Sequence, residues 1–297
     1  VAGAVVKPFE VMDAVNKGVL DAGHHVPVYW YGKSKVASLF GSGPVSGCDA
    51  AQNLAWIHKE GQVFYDELMK KLNLNVVGFF AMPMPTQPLG WFKKPVKSAA
   101  ELKGFKYRTV GLAADLMNEL GMKVTQLPGG EIVPAMERGV IDAFEFNNPT
   151  SDRRFGAQDV AKNYMMGSYH QSMEFFEIVF NRKKYESLPK DLQAVLRYAA
   201  EAASTANYAL AMDNYSRDLQ ELKSKDKVNI IRTPQDIFDA QIKAWDTIVK
   251  RLTDEDPFFK KVWDSQKAWA QRVGYYHFFN NADYKAAYEH VFGKLGF

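Results

Sequence analysis

One phrase occurs twice in this chain and restricts what it can fold into. Ala14-Val-Asn-Lys-Gly18-Val-Leu-Asp21-Ala22 recurs as Ala135-Met-Glu-Arg-Gly139-Val-Ile-Asp142-Ala143. In each copy an amphipathic helical turn ends in a basic residue followed by glycine. That reads as a helix C-cap, because glycine takes the left-handed conformation there without strain. The Val-Leu or Val-Ile pair that follows has the branching of a buried strand. Polar or aromatic residues come next, His24-His25 in one copy and Glu145-Phe-Asn-Asn148 in the other. The copies lie about 120 residues apart, too far for a solenoid, and so predict two related α/β lobes. Open α/β sheets bind ligands beyond the carboxyl ends of their strands, so two such lobes can enclose a small molecule.

The length of 297 residues agrees with two domains. At 47% hydrophobic and 24% charged residues the composition is that of an ordinary globular protein. The net charge of +3 is small, and lysine pairs such as Lys70-Lys71 and Lys260-Lys261 are dispersed, so no nucleic-acid partner is expected. A single cysteine, Cys48, excludes an internal disulfide and a cysteine pair for zinc, and it reads as a buried thiol. The chain opens on Val1-Ala-Gly without an initiator methionine and reads as processed or incomplete.

Along the chain, Lys7–Lys17 predicts a short helix, Asn53–Leu72 a long one and Asn75–Ala81 a strand buried on both faces. Three prolines in Met82-Pro-Met-Pro-Thr-Gln-Pro88 argue against regular structure there and suggest a crossing between lobes. Strands are expected at Phe105–Val110, Val124–Leu127 and Val140–Phe144, and Phe175–Asn181 returns the chain to the first lobe. A long alanine-rich helix spans Lys190–Leu222, Val228–Arg232 is a last strand, and the rest is helical. The expected division is lobe I at 1–86 and 175–232, lobe II at 87–174, and C-terminal helices at 233–297.

Few residues carry chemistry. Arg108 lies within the strand Lys106-Tyr-Arg-Thr-Val, beside a gap before the next helix, where its planar guanidinium could clamp a carboxylate or simply face solvent. Glu145 directly follows another strand and could serve as metal ligand, general base or half of a salt bridge. With Gln87 and a neighbouring carbonyl it would form an all-oxygen set suited to sodium or calcium. Tyr29, Trp30 and Trp91-Phe92 could line an apolar pocket or belong to the core. The histidines lack zinc spacing, and no Gly-x-Ser-x-Gly elbow occurs.

The phrases Leu102-Lys-Gly-Phe-Lys-Tyr-Arg108, Gly129-Gly130-Glu-Ile-Val-Pro-Ala-Met-Glu-Arg-Gly139 and Glu145-Phe-Asn-Asn-Pro149 resemble the substrate-binding proteins of TRAP transporters (tripartite ATP-independent periplasmic transporters), the DctP-like family. Lys7-Pro-Phe-Glu-Val-Met-Asp-Ala-Val extends the resemblance through the first lobe. Within the family the chain looks most similar to the branch that binds 2-oxo and 2-hydroxy monocarboxylates such as pyruvate and lactate. The resemblance implies a two-lobed α/β periplasmic binding protein fold with a long connecting helix and helical C-terminus. It implies a periplasmic receptor that closes on an organic acid and delivers it to a membrane permease. The family's arginine falls on Arg108, paired with the substrate carboxylate. A bridging cation would take the side chains of Gln87 and Glu145 and the carbonyl of Phe146. Asn147 and Gln171 complete the candidate substrate set with Tyr29, Trp30 and Trp91.

The chain also departs from that branch. Phe146 stands where tryptophan is common, Asn148 where glycine is common, and Gln171 where relatives carry a second carboxylate. Without that acid, Arg108 and sodium balance Glu145 and the substrate, so sodium is the expected cation and calcium the alternative. Relatives also carry a strand and helix before the point where this sequence begins. A metal-assisted enzyme or a sensory ligand-binding domain on the same scaffold are the other readings. Finally, Phe259, Val262, Trp263, Gln266, Trp269, Ala270, Val273 and Tyr276 form a helical stripe that suggests a homodimer or docking onto the chain's own lobes.

Overall fold

The computed structural model describes residues 3–296, so the outermost positions of the expected ranges 1–86 and 233–297 lie outside the described residues. Among the described residues, nine strands form two sheets: β1 (Ala22–His25), β2 (Val76–Met84), β3 (Gly90–Phe92), β4 (Lys106–Arg108), β5 (Lys123–Thr125), β6 (Ala143–Phe144), β7 (Asn163–Met166), β8 (Glu174–Asn181) and β9 (Asn229–Arg232). The first sheet has the order β1-β8-β2 and the second β5-β4-β6-β3-β7-β9.

The repeated phrase folds twice into the same turn. Gly18 and Gly139 take φ of 74° and 69°. The amides of Val19 and Leu20 bond back to the Ala14 carbonyl, and those of Val140 and Ile141 to the Ala135 carbonyl. Those bonds spend the Val-Leu and Val-Ile amides on the helix end, so the expected strands begin later, at Ala22 and at Ala143. Val19 and Val140 are exposed turn residues.

Two other elements differ from expectation. The helix expected from Asn53 begins at Ala50, because the Asp49 side chain accepts from the Gln52 amide and Gln52 answers to the Asp49 amide, a capping box. Strand β2 continues through Pro83. A bulge between Ala81 and Met84, with Met82 at φ 54°, takes the proline out of the ladder and sets Met84 opposite Glu174.

Strand β8 lies between β1 and β2 and returns the chain to the first sheet. The strand expected with lobe I at 228–232 does not: β9 pairs in parallel with β7 and belongs to the second sheet. The long helix Lys190–Ser224 packs on β2 of the first sheet and on the helix Pro149–Arg154 of the second lobe, so it spans both. Helix Gln235–Glu255 packs on Leu112–Glu119, and helix Pro257–Asn280 on Ala50–Trp56. Phe259, Val262, Trp263 and Trp269 are buried in the first lobe's core, so most of the predicted stripe is consumed within the chain. The exposed aromatic residues lie further on, at Tyr275, Phe278, Phe279, Tyr284 and Phe292.

Candidate functional site

The second lobe brings Arg108 and Glu145 together because β4 and β6 are parallel neighbours, with Arg108 opposite Phe144. Both side chains are almost wholly buried. Arg108 Nη1 donates to Glu145 Oε1 at 3.0 Å and to the Glu145 carbonyl at 2.8 Å, while Nε donates to the Leu127 carbonyl at 2.8 Å. Thus Nε and Nη1 are held by the chain, and the Tyr29 hydroxyl lies within hydrogen-bonding reach of the same guanidinium. Burial pushes the Glu145 carboxyl up, whereas Arg108 and the neighbouring Thr109 and Gln171 side chains favour its charge. A charge removed from water persists only when so compensated.

The loop after β6 is held by a carboxylate that the sequence reading does not single out. Asp152 accepts from Trp91 Nε1 (2.9 Å), the Tyr164 hydroxyl (3.1 Å) and the amides of Asn147 (3.1 Å) and Asn148 (3.2 Å). Asn148 caps the helix Pro149–Arg154 by accepting from the Ser151 amide at 2.9 Å. Gly90 lies under this loop: a Cβ there would meet the Phe144 carbonyl oxygen at 2.1 Å.

Burial raises the Asp152 carboxyl to about 7 despite those hydrogen bonds. Between about pH 4, the ordinary carboxylate range, and about pH 7 the folded chain therefore holds more protons at Asp152 than the unfolded chain does. Stability contributed by this group is complete below that window and lost as pH rises through it. Asp152→Asn is expected to remove this slope. It should also cost about 1–3 kcal/mol, because one amide oxygen cannot serve both pairs of donors. Urea unfolding of both proteins at several pH values checks this, and parallel pH profiles would contradict it.

Gln87 comes from the first crossing between lobes, anchored where its amide donates to the Gln171 carbonyl (3.1 Å) and Thr86 Oγ1 to the Ser172 carbonyl (2.9 Å). The Gln87 side chain is fully buried, and its Nε2 donates to Glu174 Oε2 at 2.7 Å. Asn147 Nδ2 reaches the same oxygen at 3.2 Å. Glu174 is buried, and desolvation together with the Glu145 charge pushes its carboxyl up to about 8. Gln87 Oε1, Glu145 Oε2 and both polar atoms of Gln171 are buried without a hydrogen bond of good geometry, although Thr109 and Gln171 lie close enough to favour the Glu145 charge. Three of these are oxygens, and Gln87 Oε1 and Glu145 Oε2 come from segments on either side of the lobe crossing, a donor type that suits a hard cation and not zinc.

Tyr29 approaches from the first lobe. Burial raises its hydroxyl to about 12, while Arg108 beside it acts in the opposite direction. Tyr29 and Phe146 also line a cavity of about 560 Å³ between the lobes, together with Pro8, His24, Gly129 and Val133. The Arg108 guanidinium carbon lies 5.8 Å from the centre of the Phe146 ring. The ring in turn covers Gly129, where a Cβ would meet it at 2.5 Å.

Two of the aromatic candidates lie elsewhere. Trp30 is core: its Nε1 donates to His25 Nδ1 at 3.1 Å and it stacks on His25. Trp91 stacks on Tyr164 at 4.1 Å beneath Asp152. Both rings stabilise lobes, and neither faces the cavity. Cys48 is a free buried thiol whose ionisation is pushed up to about 11.

Residues 2–256 match the family of bacterial extracellular solute-binding proteins, family 7, DctP. The chain belongs to this family. It is 30% identical over 289 residues to a monocarboxylate 2-oxoacid-binding periplasmic protein of Nostoc sp., covering 96% of this chain and 77% of the relative. Its fold is similar to a TRAP transporter solute-binding protein of Bordetella bronchiseptica (TM-score 0.91, 28% identity, 98% of this chain and 86% of that one), a dimer with calcium and picolinate in one active site. It is also similar to a TRAP solute-binding protein of Pseudoalteromonas atlantica with bound sodium and pyruvate (TM-score 0.86, 28% identity, 96% and 84%). This DctP-family chain is thus a TRAP solute-binding receptor with the two-lobed fold.

Proposed function

We propose that the chain is the periplasmic receptor for a small 2-oxo or 2-hydroxy monocarboxylate of the pyruvate or lactate kind, bound through a hard cation and passed to membrane permease subunits. The observation that carries this reading is the pair of buried, unpartnered oxygens, Gln87 Oε1 and Glu145 Oε2, beside a buried Arg108. In the 2-oxoacid reading a cation uses those oxygens and the Phe146 carbonyl. A carboxylate meets the Arg108 guanidinium, with Tyr29 closing from the other lobe. Similarity to proteins with calcium and picolinate, or with sodium and pyruvate, supports the same ligand class. The cation would neutralise charge between two acids, and the substrate would leave chemically unchanged. A thermal-shift panel of small carboxylates, each with and without sodium or calcium, tests this. Selective binding raises native-state stability by mass action. The reading falls if no 2-oxo or 2-hydroxy acid shifts the transition under any cation.

The exposed aromatic residues of helices Pro257–Asn280 and Tyr284–Phe292 support self-association. Tyr275, Phe278, Phe279, Tyr284 and Phe292 are each at least 67% exposed, a larger apolar surface than scattered single residues account for. A homodimer through this C-terminal segment is expected. Light scattering at micromolar concentration should give twice the mass of one chain, and Phe278→Glu with Phe279→Glu should halve it. A single-chain mass for the unaltered protein rejects the dimer.

A further inference from the structure

We infer that Glu174 is the second acid of the cation site, acting as the residue that orients Gln87 and tunes the site towards a divalent ion. The inference rests on the hard-cation reading above. Position 171 holds a neutral glutamine, and the structure places an acid three residues later, on the first position of β8. The bulge in β2 sets Met84 opposite Glu174, and the chain then turns through Pro85 and Thr86 to bring Gln87 onto it.

The geometry assigns Glu174 two tasks. A carboxylate accepts hydrogen bonds and cannot donate them, so its 2.7 Å contact to Gln87 fixes the –NH₂ end of that amide. The oxygen end must then point the other way. It is buried and has no protein partner, as a metal-facing oxygen requires. Asn147 Nδ2 on the same carboxylate oxygen keeps Glu174 in place. The second task is charge. Arg108 and calcium carry three positive charges, which Glu145, Glu174 and a substrate carboxylate balance. With sodium the same groups balance only if Glu174 keeps a proton, so a divalent ion is the one that draws on Glu174 as a carboxylate in this buried cleft.

The test is calorimetry of pyruvate binding to chelator-stripped protein, in buffers whose only inorganic cation is sodium or calcium at equal free concentration. Wild-type protein is expected to bind pyruvate at least tenfold more tightly with calcium. Glu174→Gln keeps the shape but can donate as well as accept, so it no longer selects one orientation of Gln87. It is expected to lose most of the calcium affinity and to erase or reverse the preference, with circular dichroism confirming the fold. Glu174→Asp keeps the charge but falls short of Gln87. Weaker binding with the calcium preference retained separates orientation from charge. Pyruvate binding indifferent to both cations in the wild type overturns the cation reading itself. Cation-dependent binding that prefers sodium, or a calcium preference unchanged in Glu174→Gln, overturns the role of Glu174 and leaves the cation reading intact.

Discussion

Replacing Arg108 with lysine is expected to lower affinity for the bound carboxylate by about thirtyfold to several thousandfold, the equivalent of about 2–5 kcal/mol for a buried charged contact. The guanidinium holds the Leu127 carbonyl through Nε and both the carbonyl and the carboxylate of Glu145 through Nη1, and the proposed site asks it to meet the ligand carboxylate as a third task. An ammonium at the end of a flexible stem keeps the charge, yet cannot reach those three directions at once. Lysine is the informative replacement because it leaves Glu145 with a counter-charge. Alanine would strand a buried carboxylate and confuse unfolding with loss of binding. Titration calorimetry on a variant shown to be folded checks the result. Near-normal affinity would mean that the ligand carboxylate is held elsewhere, Tyr29 being the nearest alternative donor.

The parts of this molecule that were legible in its sequence are those fixed by local chemistry. A glycine after a basic helical turn states its own conformation, and both copies of the repeat fold with the same back-bonded turn. Asp49 and Gln52 state a helix start in the same local way, though their reciprocal pattern is easily overlooked beside the later hydrophobic stripe. Strand lengths were not legible, since Val140 and Val19 carry strand propensity but spend their amides on the preceding helix. Nor was the allegiance of β9, which depends on a partner, β7, more than sixty residues away. At the site, Glu145 stood out because it follows an apolar strand at the end where ligands bind, and Arg108 because it lies in a strand beside the gap before the next helix. Glu174 did not, because its place beside Gln87 comes from a bulge that sets Met84 opposite it. A signal was present nonetheless: Glu174 and Glu177 interrupt an otherwise apolar strand, and both are buried. Trp30 and Trp91 show the converse, since an indole has the same composition in a pocket wall and in a core. Their hydrogen bonds to His25 and Asp152 decide the matter.

Removing hard cations is expected to weaken binding of a 2-oxoacid such as pyruvate by at least a hundredfold. Without a cation, the substrate carboxylate and its neighbouring oxygen would enter a space already bordered by the buried carboxylates of Glu145 and Glu174. Arg108 supplies one positive charge there and is already paired with Glu145 at 3.0 Å. Like charges brought together in a medium of effective dielectric near 20 repel by several kcal/mol at contact distance. The two acids can escape this only by taking up protons, and burial has already raised both in that direction. The loss should therefore be steeper in alkaline buffer, where Glu174, with its carboxyl near 8, is ionised in the absence of a cation. Below that pH a bound proton can partly replace the cation, so the cation requirement should soften as the buffer is made more acidic. The measurement is pyruvate titration after exhaustive chelation, with sodium replaced by a bulky organic cation, repeated from pH 6 to pH 9. Undiminished affinity throughout means that no metal bridges protein and substrate. A cation requirement that does not change with pH means that Glu174 keeps one charge state across the range, and burial then affects it less than its surroundings imply.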